Sequence, residues 1–184
     1  MDMDFIRSML PLEGWKAGAA VILSQFLASY IVNAHSYQHL YNLHRLFQPW
    51  RWEREGRIYE DLFHIRGWKD YIPSISHFNK KTLDGNLSAE YLSRYVLESI
   101  RAELCHDLSI IFGLLLCLAS EGATDRRILL YLALLNLPCV MIQRYNRPRF
   151  ERILNRPRKD GRSGIVEFWL DEDGSEIQEE GERS

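Results

Sequence analysis

The sequence predicts an all-α fold, that of a small integral membrane protein with about three membrane-embedded helices and further helices at the cytoplasmic interface. Three observations predict it. Strongly apolar runs occupy residues 15–33, 104–120 and 128–143. The rest of the chain is dense in charge and aromatics, although averages of 46% hydrophobic and 26% charged residues and a net charge of −2 would suit a soluble protein. Lysine and arginine are also unevenly placed: residues 34–103 hold ten and residues 144–162 hold eight. A length of 184 residues suits one domain. We expect it to span residues 1–165, followed by an acidic, unfolded tail over 166–184.

A bilayer core about 30 Å thick needs about 20 apolar residues in a helix. The run at 15–33 nearly meets that length, with the glycine and alanine that membrane helices tolerate. The opening MDMDFIRSMLPLEG is acidic rather than basic, so the run reads as a retained helix and not a cleaved signal. The other two runs are short for ideal spans and are joined by SEGATDRR, an exposed link. A buried helical hairpin in a soluble bundle is the competing reading, but so short a chain could hardly surround three apolar helices. With three spans, both basic stretches fall on one side, which the distribution of positive charge makes cytoplasmic. The protein is therefore expected in the cell membrane, multi-pass, with its C-terminus in the cytoplasm. Cys105, Cys117 and Cys139 all lie in apolar surroundings without metal-pair spacing and read as inert thiols.

Between the first and second runs, residues 34–73 interleave Trp50, Trp52, Trp68, Tyr41, Tyr59 and Tyr71 with arginines, a composition suited to the headgroup zone. Helical spacing is expected over 35–47 and 56–66, punctuated by Pro49, Gly56, Gly67 and Pro73. Asp84-Gly85-Asn86 signals a turn, and an amphipathic helix follows from Ser88 into the second run.

Two clusters could carry chemistry. In ESIRAELCHD, Glu103 and His106 stand three residues apart, on one face of a helix at the edge of the bilayer. Ionisable groups there are costly and mark function. A histidine oriented by a carboxylate makes a general base, so His106 and Glu103 are the candidate catalytic pair, with Glu98 and Arg101 as neighbouring substrate-binding residues. An ordinary set of interfacial ion pairs is the alternative. The second cluster is QRYNRPRF, where Arg144, Arg147 and Arg149 follow a greasy helix. The residue before a proline is pushed out of helical conformation, so Pro148 predicts a bend from which the arginines fan out to grip a phosphate. A topological anchor is the competing reading.

His35 and His39 show the spacing of a histidine box, and Glu103-x-x-His106 resembles one half of a diiron ligand set, but six histidines and one copy of that pair are too few. No metal site and no bound cofactor are expected. No nucleophile elbow, phosphate loop or zinc spacing occurs. Nucleic acid is not an expected partner, because the basic runs lie beside membrane segments.

RAELCH, an apolar hairpin and then QRYNRPR together resemble the glycosyl-4,4'-diaponeurosporenoate acyltransferase family, small bacterial membrane enzymes that esterify a sugar hydroxyl of a carotenoid glycoside. WEREG and FHIRGWKDYIP resemble that family too, and the likeness covers about residues 40–155. The first helix is matched only in hydrophobic character, and the acidic tail departs from the family. The resemblance implies an acyl donor, acyl-CoA or another, as co-substrate, and a glycosylated carotenoid or related glycolipid as acceptor, both met at the bilayer. His106 is then the base with Glu103 its partner. Arg144, Arg147 and Arg149 hold the donor's phosphates, and Asn146 or an arginine faces the oxyanion. A non-catalytic membrane scaffold and a diiron oxidoreductase are the rival functions.

Overall fold

The computed structural model describes residues 15–72, 89–120, 122–156 and 165. Among these every regular element is helical. Helix α1 spans Trp15–Asn33, α2 Tyr37–Leu43, α3 Arg57–Phe63, α4 Ile65–Trp68, α5 Ala89–Ala119, α6 Ala123–Leu134 and α7 Leu137–Leu154. Short 3-10 turns at His44–Phe47, Arg51–Glu53 and Lys69–Tyr71 join the small helices. The expected turn at 84–86, Pro73 and the acidic tail lie outside the described residues.

Helix α5 is the axis of the molecule, packing against α1, α6 and α7. At 31 residues it is about 46 Å long, more than a bilayer core needs. Two helices are long and apolar enough to cross a membrane, α5 and the combined α6–α7 over 123–154; a third span results if α1 and the segment Tyr37–Phe47, bent at 96° to it, count as one.

The molecule is inverted relative to a soluble bundle. Leu23 and Phe26 on α1 are 68% and 69% exposed, and Leu115, Leu118 and Tyr131 on α5 and α6 are exposed as well. Glu53, Glu103 and Arg147 are each only 1% exposed. Apolar groups outside and ions inside are what a hydrocarbon solvent selects. Between α5 and α6 the helices nearly touch. A Cβ built on Gly113 would stand 2.7 Å from that of Ala133, the close approach that small residues permit where lipid supplies no hydrophobic drive.

Three expectations need correction. The third apolar run is not one continuous helix: it breaks at Leu135 and Asn136, and α7 restarts with Pro138 in its first turn, where a missing N–H costs nothing. Pro148 does not end the helix either; α7 continues through it to Leu154. A proline inside a helix costs about 3 kcal/mol, and the buried contacts of its neighbour Arg147 offset that here. Gly67 lies within α4 rather than dividing elements, and the local break falls at His64, whose φ is 48°.

Candidate active site at the membrane boundary

The middle of the molecule holds an ion-pair lattice drawn from three distant stretches of chain. Arg144 on α7 donates from Nε to Glu53 Oε1 at 2.6 Å, from Nη2 to Glu53 Oε2 at 3.0 Å, and from Nη1 to Glu103 Oε1 at 2.5 Å. Arg147, one turn on, donates from Nε to Ser99 Oγ at 2.7 Å, from Nη1 to the Phe47 carbonyl at 2.8 Å, and from Nη2 to Glu103 Oε2 and the Ser99 carbonyl. Two carboxylates and two guanidiniums make the lattice neutral, and each guanidinium nitrogen finds an acceptor. Buried ions persist only under that condition.

Glu53 reaches the lattice from an unusual loop. Arg54, Glu55 and Gly56 all take positive φ (50°, 56° and 82°), which turns the chain sharply between Glu53 and α3. Left-handed backbone costs an ordinary residue about 1–2 kcal/mol. The return is that Glu53 also accepts from the Trp50 N–H at 2.9 Å and the Tyr59 hydroxyl at 2.8 Å. Burial, and then the hydrogen bond to Glu53, push the Tyr59 phenol well above its ordinary range, so it remains a donor. Gly56 packs onto the backbone of Arg144 and Tyr145, where a Cβ would stand 3.0 Å from the Arg144 carbonyl oxygen.

His106 lies one turn deeper along α5. Its Nδ1 is 2.9 Å from Oδ1 of Asn136, at the break between α6 and α7. The Asn136 amide nitrogen donates to the Leu132 and Ala133 carbonyls, each at 3.3 Å, which fixes Oδ1 toward the ring. An Oδ1 acceptor requires Nδ1 to carry the proton, leaving Nε2 as the basic nitrogen. The Cys139 thiol neighbours the same imidazole, and the Asp107 carboxylate interacts with it electrostatically.

The structure thus separates residues that the sequence grouped. Glu103 faces the arginines, not His106, because both its oxygens are taken. Arg147 is buried with its donors committed and offers none to a phosphate; Arg144 is committed to Glu53 and Glu103 in the same way. Glu98 and Arg101 lie on another side of α5. Tyr37 donates to Glu98 Oε1 at 2.6 Å, Arg101 stacks over the Tyr37 ring at 5.0 Å, and Arg101 Nη2 reaches the His35 carbonyl at 3.3 Å. Asn146 adjoins the Tyr95 hydroxyl, away from His106. Arg149 lies flat on the Tyr145 ring, 3.4 Å from its centroid. His35 and His39 meet edge to face with centroids 5.5 Å apart, and among the described residues no three His, Cys, Asp or Glu side chains converge as a metal site.

Sequence reasoning missed Glu53, Ser99 and Asn136. Asn136 did leave a signal, being the one amide side chain within 130–142.

A profile of the glycosyl-4,4'-diaponeurosporenoate acyltransferase family matches residues 43–156. That span takes in the whole lattice, His106 and Asn136. A protein of that name from Staphylococcus haemolyticus (strain JCSC1435) is 34% identical over 122 residues, 64% of this chain and 71% of the relative. Another, from Staphylococcus aureus (strain bovine RF122 / ET3-1), is 27% identical over 124 residues, 64% of this chain and 73% of the relative. No solved structure matches.

Proposed function

The chain belongs to the glycosyl-4,4'-diaponeurosporenoate acyltransferase family and is an acyltransferase; from that premise we propose that it moves a fatty acyl group from a donor to a sugar hydroxyl of a glycosylated carotenoid or related glycolipid, with His106 as general base. The observation that carries this reading is the Asn136–His106 hydrogen bond, which leaves Nε2 as the basic nitrogen of the ring.

A sugar hydroxyl is a weak nucleophile until a base takes its proton during attack. In the proposed step the hydroxyl oxygen bonds to the acyl carbonyl carbon while its proton passes to His106 Nε2. The tetrahedral intermediate then collapses, the bond to the donor's thiol or alcohol breaks, and the imidazolium returns the proton to that leaving group. Asn136 is a positioning residue that holds the tautomer, the part originally expected of Glu103. Glu103 instead braces the floor of the site through Arg144 and Arg147. Glu98 and Arg101 are proposed to contact the acceptor sugar. Arg101 Nε is buried 3.6 Å from Glu98 Oε1 with no closer partner, which supports a loose ion pair that offers a sugar hydroxyl a donor and an acceptor together. We assign residues 34–103 and the C-terminal stretch to the cytoplasmic side of the cell membrane, in line with their excess of lysine and arginine.

Purified protein in nanodiscs, given an acyl-CoA and a glycosylated carotenoid, tests the reading. An ester detected by mass spectrometry is the expected product. Hydrolysis of the donor without ester, or iron copurifying with an oxidised lipid product, would contradict it.

A further inference from the structure

Arg144 and Arg147 are spent inside the lattice, which leaves open how a charged acyl donor is held. On the face of α7 turned toward α3 and α4, Tyr145 is buried to 1% exposure and carries cations on two sides. Arg149 lies over its ring, and among the described residues its one hydrogen bond runs from Nη1 to the Tyr145 carbonyl at 3.4 Å. The exposed Arg66 of α4 borders its hydroxyl. The Glu60 carboxylate is joined to this group: its Oε2 accepts from the Arg66 backbone N–H at 3.0 Å and lies 3.5 Å from the Tyr145 hydroxyl. The guanidiniums of Arg149, over the ring, and Arg66, at the hydroxyl, outnumber the Glu60 carboxylate and leave positive charge for an anion to meet. By contrast, the next arginine along α7, Arg152, is paired with Glu55.

We propose that Arg66 and Arg149, set around Tyr145, form the binding site for the phosphate of the acyl donor. The inference rests on the acyl-transfer reading above and locates its donor. Guanidinium forks match phosphate oxygens two at a time, and a ring beneath one fork fixes its plane before the ligand arrives. Arg149 stands thirteen residues beyond Asn136 on a helix rising about 1.5 Å per residue, so about 20 Å separates phosphate from base. An extended phosphopantetheine arm covers that length. A phospholipid donor would bring the same phosphate chemistry from the bilayer.

The test is binding by the full chain in phosphatidylcholine nanodiscs, measured by calorimetry with coenzyme A, alongside turnover with acyl-CoA. Arg66→Gln and Arg149→Gln should each weaken coenzyme A binding about 10- to 100-fold, the worth of a charge-assisted contact, and raise KM without lowering kcat at saturation. Arg149→Lys should weaken it as well, because charge without the fork is not enough. Arg152→Gln is the control and should bind as wild type. If coenzyme A does not bind but the same two variants lower transfer from added phosphatidylglycerol, the site stands and its donor is a phospholipid. Equal loss in Arg152→Gln, or wild-type affinity for both probes in Arg66→Gln and Arg149→Gln, would overturn the proposal. Arginine-dependent coenzyme A binding in a protein that forms no ester would uphold the site and defeat the acyl-transfer reading instead.

Discussion

Each guanidinium nitrogen of Arg147 finds an acceptor, four hydrogen bonds in all to Ser99, Phe47 and Glu103, in a space closed to water. Lysine would keep the charge but lose the fork, leaving Glu103 and the Ser99 and Phe47 oxygens short of donors. Arg147→Lys should therefore lower stability by about 1–3 kcal/mol, the cost of buried acceptors left unsatisfied, and appear as an early thermal melt in detergent. A wild-type melt with an altered donor KM would restore the ligand-gripping role instead. Glu103→Gln should melt early for the same reason, whereas Asn136→Ala should fold and lose turnover through a misdirected imidazole. How unusual QRYNRPR is could be read from the sequence; its purpose could not. A guanidinium that meets phosphate and one that meets Glu53, ninety-one residues away, have the same local sequence. His106 was singled out because a histidine beside an apolar run is costly whatever its partner, and its role as base is the proposal made above. Glu103 was mispaired because three-residue spacing shows a shared face but not which neighbour fills it.

At the scale of elements, α1 and the run from α5 into the membrane were legible because helical apolar runs of that length have few other solutions. The break at Asn136 and the passage through Pro148 were not, since both depend on contacts from other segments. Gly56 is one of those contacts. Gly56→Ala would put a side chain at φ 82° and 3.0 Å from the Arg144 carbonyl oxygen, and should cost about 1–2 kcal/mol from backbone strain alone. An unchanged melting temperature would show that the loop can move off α7. The α5–α6 crossing makes a reciprocal prediction. Gly113→Ala should loosen the hairpin, because its Cβ would fall 2.7 Å from that of Ala133, and adding Ala133→Gly should recover most of the loss. Failure of the second change to recover the melt would place the strain elsewhere.

For the whole molecule, the partition of charge foretold the inside-out arrangement, with exposed leucines around a buried lattice of ions. It also carries the topology proposed above, with the C-terminus in the cytoplasm. In a variant with Cys105, Cys117 and Cys139 replaced, Ser184→Cys should resist membrane-impermeant thiol reagents in intact cells and react after lysis; ready labelling in intact cells would reverse the orientation. The account as a whole depends on proton transfer at one imidazole held at the membrane boundary. Its most direct test is the rate of ester formation by His106→Gln in nanodiscs, compared with wild type at matched insertion and matched melting temperature. Loss of a general base predicts a fall of about 10²–10⁴-fold, with His35→Gln and His39→Gln close to wild type. Turnover by His106→Gln within a few-fold of wild type would contradict it.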